Sequence, residues 1–285
     1  MKILVLGVTG MLGNAVFRVF DGDPKLDTWG TLRSASGKRV FSDSSHDRLL
    51  ENIDALDQDA LCSCLARVRP DVVVNCIGLI KQFADVKNPL SALPVNSMLP
   101  HRLSALCELV GARLIHVSTD CVFSGRRGGY VETDMSDAED LYGKSKYIGE
   151  IHDQIHAVTL RTSIIGHELN SNYALIDWFL SQRGSVKGFA RAIFSGLPTV
   201  ELARVMKEFV LPNPALSGLY HVAAAPISKL ELLRLVAKQY GKDIDIVPEH
   251  DFAIDRSLNG SRFFAATGYT ALPWPELVAR MHANR

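Results

Sequence analysis

The chain has 285 residues, a length that suggests about two domains. Its 47% hydrophobic and 22% charged content is ordinary for a folded soluble protein. Lys plus Arg and Asp plus Glu both total 31, which argues against a dedicated nucleic-acid or membrane-surface binder, because affinity for phosphate backbones rests on excess positive charge. Five cysteines (Cys62, Cys64, Cys76, Cys107 and Cys121) form no disulfide framework or metal spacing, so reduced thiols in a cytoplasmic protein are expected. The apolar opening Met1–Gly7 is too brief for a signal peptide, and no run approaches the roughly 18 apolar residues of a membrane span.

In chain order, Ile3 to Leu6 reads as a buried strand, after which Leu12, Ala15, Val16, Val19 and Phe20 recur at helical spacing. Thr28 to Leu32 reads as a second strand. Asp57 is placed to cap a helix that buries Leu61, Cys64, Leu65 and Val68 and stops at Pro70. The run Asp71 to Ile77 is continuously apolar over a strand's length, the pattern of a parallel sheet covered on both faces. Leu103, Leu106, Cys107 and Val110 repeat the helical pattern, and Arg113 to Ser118 returns to strand. A helix is expected over Tyr142 to Ile155 and a strand over Val158 to Ile165. This alternation predicts an α/β fold over residues 1–165, a doubly wound parallel sheet of the Rossmann kind.

Beyond residue 166, Gly184, Gly188, Gly196, Pro198, Pro212 and Pro214 punctuate shorter elements. Ser228 with Glu231 reads as a capping box opening a helix. Residues 166–285 are expected to form a smaller C-terminal substrate-binding lobe, with segments free to interleave with the first domain, closing over whatever the sheet binds.

Four residue sets carry chemistry. Gly7-Val8-Thr9-Gly10-Met11-Leu12-Gly13 follows the first strand and opens the first helix. Glycines there let a backbone approach a pyrophosphate, and the helix amino terminus presents free N–H groups to it. The spacing is Gly-x-x-Gly-x-x-Gly, and its place between strand and helix favours the phosphate reading over a bland turn. An NAD site takes an acid about 20 residues further on. The window Thr28 to Ser42 holds none, but offers Arg33 and Ser34, then Lys38 and Arg39. A cation beside a hydroxyl suits the 2′-phosphate of NADP, so NADP(H) is expected in preference to NAD(H).

Tyr142 and Lys146 form a Tyr-x-x-x-Lys pair that one helical turn brings to the same face. A free phenol with a pKa near 10 exchanges protons poorly at neutral pH, and the ammonium is expected to lower it. Ser118-Thr119-Asp120-Cys121-Val122-Phe123-Ser124-Gly125 ends a strand, where the sites of open α/β sheets lie; a hydroxyl there can bond the oxygen that the tyrosine protonates. A turn-forming cluster is the plain alternative. The nine histidines show no ligand spacing, so no metal is expected. Phe189, Arg191 and Phe194 suit a nucleotide pocket or the core equally, and Arg256 is a candidate for a diphosphate.

In this order, these motifs resemble the extended short-chain dehydrogenase/reductases, and more finely the dTDP-4-dehydrorhamnose reductase family. Leu160-Arg161-Thr162-Ser163, Gly196-Leu197-Pro198-Thr199 and Val95-Asn96 match further family segments, from residue 3 to about residue 225. The resemblance implies that Thr119, Tyr142 and Lys146 are the catalytic triad, with Tyr142 and Lys146 also meeting the cofactor and Thr119 and Asp120 meeting the substrate. Gly10, Met11 and Leu12 fall on the pyrophosphate turn, and Gly7, Thr9 and Gly13 of the same segment are expected to bind the cofactor with them. Asp54 falls on the adenine-side acid; Cys76, Ile77 and Gly78 fall where a strand passes the cofactor. Asn96 falls on a structural helix asparagine. Cys121 stands where the family has tyrosine and Ile164 where it has tryptophan, which implies a sugar pocket of changed shape and points away from dTDP-4-dehydrorhamnose itself.

The implied function is NADP(H)-dependent reduction of a nucleotide-linked 4-keto-6-deoxy-sugar, with a nucleotide sugar as the partner molecule and a homodimer as a compatible assembly. Two alternatives stand beside it: an epimerase or dehydratase that retains NAD, and a non-catalytic NADP-binding regulatory subunit.

Overall fold

Val72, Val73 and Val74 show how the sheet is built: successive side chains leave a strand on opposite faces, so an unbroken apolar run needs cover on both. Val72 and Val74 join Ile3, Val5, Ile115 and Leu160 in one core, whereas Val73 joins Leu4, Leu6 and Leu114 in another. The structure, a computed structural model, describes residues 1–80, 84–169 and 171–285.

The strands are β1 (Lys2–Leu6), β2 (Asp27–Thr31), β3 (Leu49–Leu50), β4 (Val72–Asn75), β5 (Arg113–Thr119), β6 (Ala157–Thr162), β7 (Ile164–Ile165), β8 (Ser185–Phe194), β9 (Leu197–Pro198), β10 (Gly218–His221), β11 (Ile227–Ser228) and β12 (Asp245–Asp255). The helices are α1 (Met11–Asp21), α2 (Gln58–Val68), α3 (Pro89–Ala92), α4 (Leu99–Val110), α5 (Leu141–Ile148), α6 (Leu175–Ser181), α7 (Thr199–Val205), α8 (Lys229–Tyr240), α9 (Ser261–Thr267) and α10 (Trp274–Ala283). A π-helical turn over Leu93–Met98 joins α3 to α4.

Seven parallel strands run in the order β3-β2-β1-β4-β5-β6-β10. Helices α1, α7, α8 and α10 cover one face through residues such as Phe17, Leu202, Val236 and Leu277. Helices α2 and α4 cover the other through Leu61, Leu65, Leu103 and Cys107. The strand order reverses between β1 and β4, and that reversal opens a crevice at the carboxyl ends of the strands. Residues 218–221 return to this sheet as the edge strand beside β6. Strands β11, β8 and β12 make a second sheet, and β7 pairs with β9.

The expected elements are present, with two differences. The helix from Tyr142 stops at Ile148 rather than Ile155, with Gly149 as its C-cap, and Gly149 lies so close to the Asn96 carbonyl oxygen that only glycine fits there. The strand expected over Val158–Ile165 breaks at Ser163, whose carbonyl accepts from Leu197 N (2.9 Å), so Ile164 and Ile165 leave the main sheet and pair with β9. Asp57 caps α2 through the N–H groups of Asp59 and Ala60. Ser228 caps α8 by accepting from Glu231 N, but the Glu231 carboxylate turns to Arg234, so only half of the capping box forms. None of the five cysteines forms a disulfide. Among the described residues, no helix is long and apolar enough to cross a membrane.

Candidate active site

A cavity of about 710 Å³ fills the crevice. One end is the glycine turn. Gly7 adopts φ +80°, a left-handed conformation that side chains disfavour, and a Cβ there would stand 2.8 Å from Ile77 Cγ1. A Cβ on Gly13 would collide with the Gly7 carbonyl, so helix α1 sits directly on the turn. Gly10 differs: its backbone suits any residue and a Cβ would meet only the Gly7 oxygen, at 3.4 Å. The space above Gly10 therefore faces the cavity, and a larger side chain would fill it. No side chain caps α1 and no acid lies in its first turn, which leaves its N–H groups and dipole available to an anion. These features fit the diphosphate of a dinucleotide.

Thr9, Gly10, Met11 and Leu12 line the cavity at this end, and Cys76, Ile77 and Gly78 line it beyond β4. Burial pushes the Cys76 thiol up to about 12, so it is inert near neutrality. Asn96 accepts from Leu79 N (2.9 Å) and donates to Leu79 O and to Ser145 Oγ (3.2 Å each), tying the segment after β4 to α5. Gly37 brings the turn after β2 against Thr9, where a Cβ would stand 2.8 Å from Thr9 Cγ2. Arg33 and Ser34 precede that turn and lie outside the cavity wall. Ser34 accepts from Ser36 N, while exposed Arg33 has no ion pair or hydrogen bond among the described residues. Lys38 pairs with Glu51. Asp54 is exposed and accepts from Leu56 N (2.9 Å), also outside the wall.

Thr119, Asp120, Tyr142 and Lys146 meet in the middle of the cavity. Thr119 ends β5, and Asp140 caps α5 by accepting from Gly143 N (2.8 Å), which sets Tyr142 in its first turn and Lys146 one turn on. Lys146 is buried, 6% exposed, and its ammonium donates to the Val117 carbonyl (2.8 Å). Burial pushes it down to about 8, against the pull of Glu150. The phenol does not follow the expectation of a lowered pKa. Burial raises it, the Cys121 thiol and the Asp120 and Asp140 carboxylates add to the rise, and a hydrogen bond with Thr119 opposes it. Tyr142 is therefore held in its protonated form. Burial also raises Asp120, offset chiefly by the Arg256 guanidinium, then by Thr119 and Cys121, and by Lys229.

Residues of the second half close the other end. Ile193, Phe194, Lys229, Ile254 and Arg256 line it together with Ile164. Phe194 thus faces the cavity, while Phe189 packs on Phe252 (ring centroids 5.4 Å apart) outside its wall. Arg256 donates to the Phe123 carbonyl (2.7 Å), and it shares with Cys121 the wall of a neighbouring cavity of about 240 Å³. Asn75, Glu168 and Lys229, which no sequence motif marks, also line the main cavity.

A family model described as the RmlD substrate binding domain matches residues 1–258. The chain belongs to that family. Methionine adenosyltransferase 2 subunit beta of Danio rerio is 28% identical over 253 residues, 84% of this chain and 74% of that protein. The Mus musculus protein of the same name is also 28% identical, and the matched segment spans about half of it, 48%. A dTDP-4-dehydrorhamnose reductase of Streptomyces griseus is 34% identical over 148 residues, 52% of this chain and 43% of that protein. Among solved structures, dTDP-4-dehydrorhamnose reductase of Bacillus anthracis in complex with NADP superposes with a TM-score of 0.81 at 19% identity, covering 100% of this chain and 98% of its own. UDP-glucuronic acid 4-epimerase of Bacillus cereus in complex with NAD reaches 0.77 at 17% identity, covering 99% and 98%. At such identities these two show the fold.

A buried ammonium weakens the folded state. The pKa of Lys146 is about 8 in the folded chain and 10.5 when free, so the unfolded chain binds more protons between those values. Folding therefore bears the full cost below pH 8 and regains stability as pH rises toward 10.5. Lys146→Met removes that cost but loses the bond to Val117, for a net gain on the order of 1–3 kcal/mol at pH 7. Thermal melting of the two chains should show the variant higher at pH 7 and the gap closing above pH 8. A variant that melts lower at pH 7 would show that the ammonium stabilises the fold.

Proposed function

We propose that this chain is an NADP(H)-dependent reductase of a nucleotide-linked 4-keto-6-deoxy-sugar, working in the cytoplasm. The observation that carries the reading is that Thr119, Tyr142 and Lys146 line one cavity that runs on to the glycine turn. When bound, the dinucleotide supplies the hydride for the carbonyl carbon. Tyr142 donates its proton to the carbonyl oxygen, and a raised pKa keeps that proton in place until charge develops on the oxygen. Thr119 hydrogen-bonds the same oxygen as it becomes an alkoxide. Lys146 sets a positive charge beside the reacting centre and holds the nicotinamide ribose.

Gly7, Gly10 and Gly13 shape the diphosphate cradle, with Thr9, Met11 and Leu12 along its rim, while Cys76, Ile77 and Gly78 flank the rest of the dinucleotide. Arg33 and Ser34 meet the 2′-phosphate and confer the preference for NADPH, and Asp54 lies toward the adenine. Asp120 and Arg256 face the substrate, Arg256 toward its diphosphate. Cys121 and Ile164 line the sugar end with small and aliphatic groups. That lining supports a sugar other than dTDP-4-dehydrorhamnose. Residues 1–165, with β10, α7, α8 and α10 interleaved from the second half, act as the dinucleotide domain, and the rest of residues 166–285 acts as the substrate lobe.

The match to methionine adenosyltransferase 2 subunit beta favours a second reading, in which the chain binds a dinucleotide and serves as a subunit of another enzyme. Tyr142→Phe separates the two. It keeps the ring's packing and removes the donor, so NADPH oxidation against a panel of nucleotide-linked 4-keto sugars should slow by roughly 10²–10⁴ while cofactor affinity survives. Oxidation at the wild-type rate would remove Tyr142 from the chemistry, and no oxidation by the wild type with any keto sugar would leave the subunit reading in front.

Arg33→Ala should weaken NADPH by about 1–3 kcal/mol in calorimetric titration and leave NADH nearly unchanged. Equal losses for both would place the 2′-phosphate elsewhere.

A further inference from the structure

Arg256 directly follows β12 and lines both the main cavity and the smaller one beside it. Its Nε donates to the Phe123 carbonyl (2.7 Å), and it makes no other hydrogen bond or ion pair among the described residues. Nη1 and Nη2 are left as a planar pair of donors, a shape that suits the oxygens of a phosphate. The loop that holds Nε also holds the backbone on both sides of Arg256. Asp255 N donates to the Gly125 carbonyl (2.7 Å), Gly129 N to Ser257 Oγ (2.8 Å), and Tyr130 N to the Ser257 carbonyl (2.9 Å). Asn259 N donates in return to the Tyr130 carbonyl (2.8 Å). Gly125 adopts φ +86°, and a Cβ there would stand 2.9 Å from Arg256 Cγ.

Aromatic rings close this loop on itself. Phe123 and Tyr130 are both buried and stack with centroids 4.0 Å apart and planes 5° apart. The Arg161 guanidinium stands 5.0 Å from the Phe123 centroid, and that of Arg127 stands 4.9 Å from the Tyr130 centroid. Arg161 is itself buried and fixed by the Glu150 carboxylate, to which Nε (2.8 Å) and Nη2 (2.5 Å) donate. Offset ring pairs and guanidinium–ring contacts each favour one geometry, so the loop has a rigid base. None of the catalytic steps above uses this stack.

We propose that Tyr130, stacked on Phe123, is the positioning residue that sets Arg256 as a preformed fork for the diphosphate of the nucleotide sugar. A free arginine side chain gives up its rotamer freedom when a ligand arrives. Here the loop has already removed that freedom in the folded chain, so binding does not bear the loss. The diphosphate as ligand rests on the reductase reading, but the fixing of Arg256 can be read with no ligand at all.

The first measurement is NMR of the ligand-free full chain carrying ¹⁵N-labelled arginine, with the Arg256 Nε–H signal assigned by Arg256→Gln. In wild type that proton should exchange slowly with water. Tyr130→Leu removes the stacked ring and should speed the exchange by about tenfold or more, while Tyr130→Phe keeps the ring and should leave it near the wild-type rate. The second is calorimetric titration with dTDP, UDP, GDP and CDP, each beside its monophosphate, with NADP⁺ in excess to occupy the glycine turn. The tightest pair gives a ratio of diphosphate to monophosphate affinity. Arg256→Gln should lower that ratio by roughly tenfold or more. Tyr130→Leu should lower it too, and the double variant should fall no further than Arg256→Gln alone. An unchanged exchange rate or an unchanged ratio in Tyr130→Leu overturns the proposal, and so does a further fall in the double variant, the mark of general loosening. If Tyr130→Leu does not fold, Ser257→Ala carries both measurements: it removes the bond from Gly129 and should move both the same way, and no movement overturns the proposal. If Arg256→Gln leaves the ratio unchanged, or wild type binds none of these nucleotides, Arg256 meets no diphosphate and the proposal falls. If the ratios behave as described yet wild type oxidises no NADPH with any keto sugar, the reductase reading fails and the positioning of Arg256 stands.

Discussion

The last three residues of β5 are the constraint on which the site depends. Val117 holds the Lys146 ammonium, Ser118 holds Glu150, and Thr119 meets the Tyr142 phenol, so one strand end meets two side chains of α5 and one just beyond it. Those bonds form only because α5 lies close against the neighbouring loops. Gly143 sits on the Cys121 carbonyl and Gly149 on that of Asn96, each too close for a side chain. A strand buried on both faces does not slide, which gives these bonds a rigid base.

From that base the rest of the cavity follows geometrically. The reversal between β1 and β4 sets the glycine turn across the crevice from α5, and Asn96 links the two sides by bonding both Leu79 and Ser145. The second half of the chain packs against the same sheet through α7, α8 and α10, and carries Phe194, Lys229 and Arg256 to the far end of the cavity. One end is thus built for backbone approach and the other for side-chain contact. The charges in the middle are mostly buried, so small rearrangements there have large electrostatic effects.

Much of this could be read from the residues in order. The run around Val72–Val74 announced a sheet covered on both faces, and the place of Gly7–Gly13 between strand and helix announced the turn. The spacing of Tyr142 and Lys146 put them on one helix face, as found. The direction of the phenol's shift could not be read this way. An adjacent ammonium suggests a lowered pKa, but burial and the nearby Asp120, Asp140 and Cys121 set the sign, and burial depends on residues distant in sequence. Glu150 and Arg161 were unreadable for the same reason: eleven positions apart, they meet only after β6 lies beside β5.

A protonated phenol beside a buried ammonium is suited to giving a proton to a carbonyl oxygen as hydride reaches the carbon. One similar protein is named as an enzyme subunit, methionine adenosyltransferase 2 subunit beta, so hydride transfer itself is the point to measure. The direct experiment is a single turnover with NADPH carrying deuterium at C4 of the nicotinamide, prepared separately on each face, with a nucleotide-linked 4-keto-6-deoxyhexose as acceptor and the product read by mass spectrometry and NMR. The account predicts one deuterium on the new carbinol carbon from one of the two labelled cofactors, and none from the other. Tight binding of NADPH with all label left on the nicotinamide, for every keto sugar offered, would contradict it.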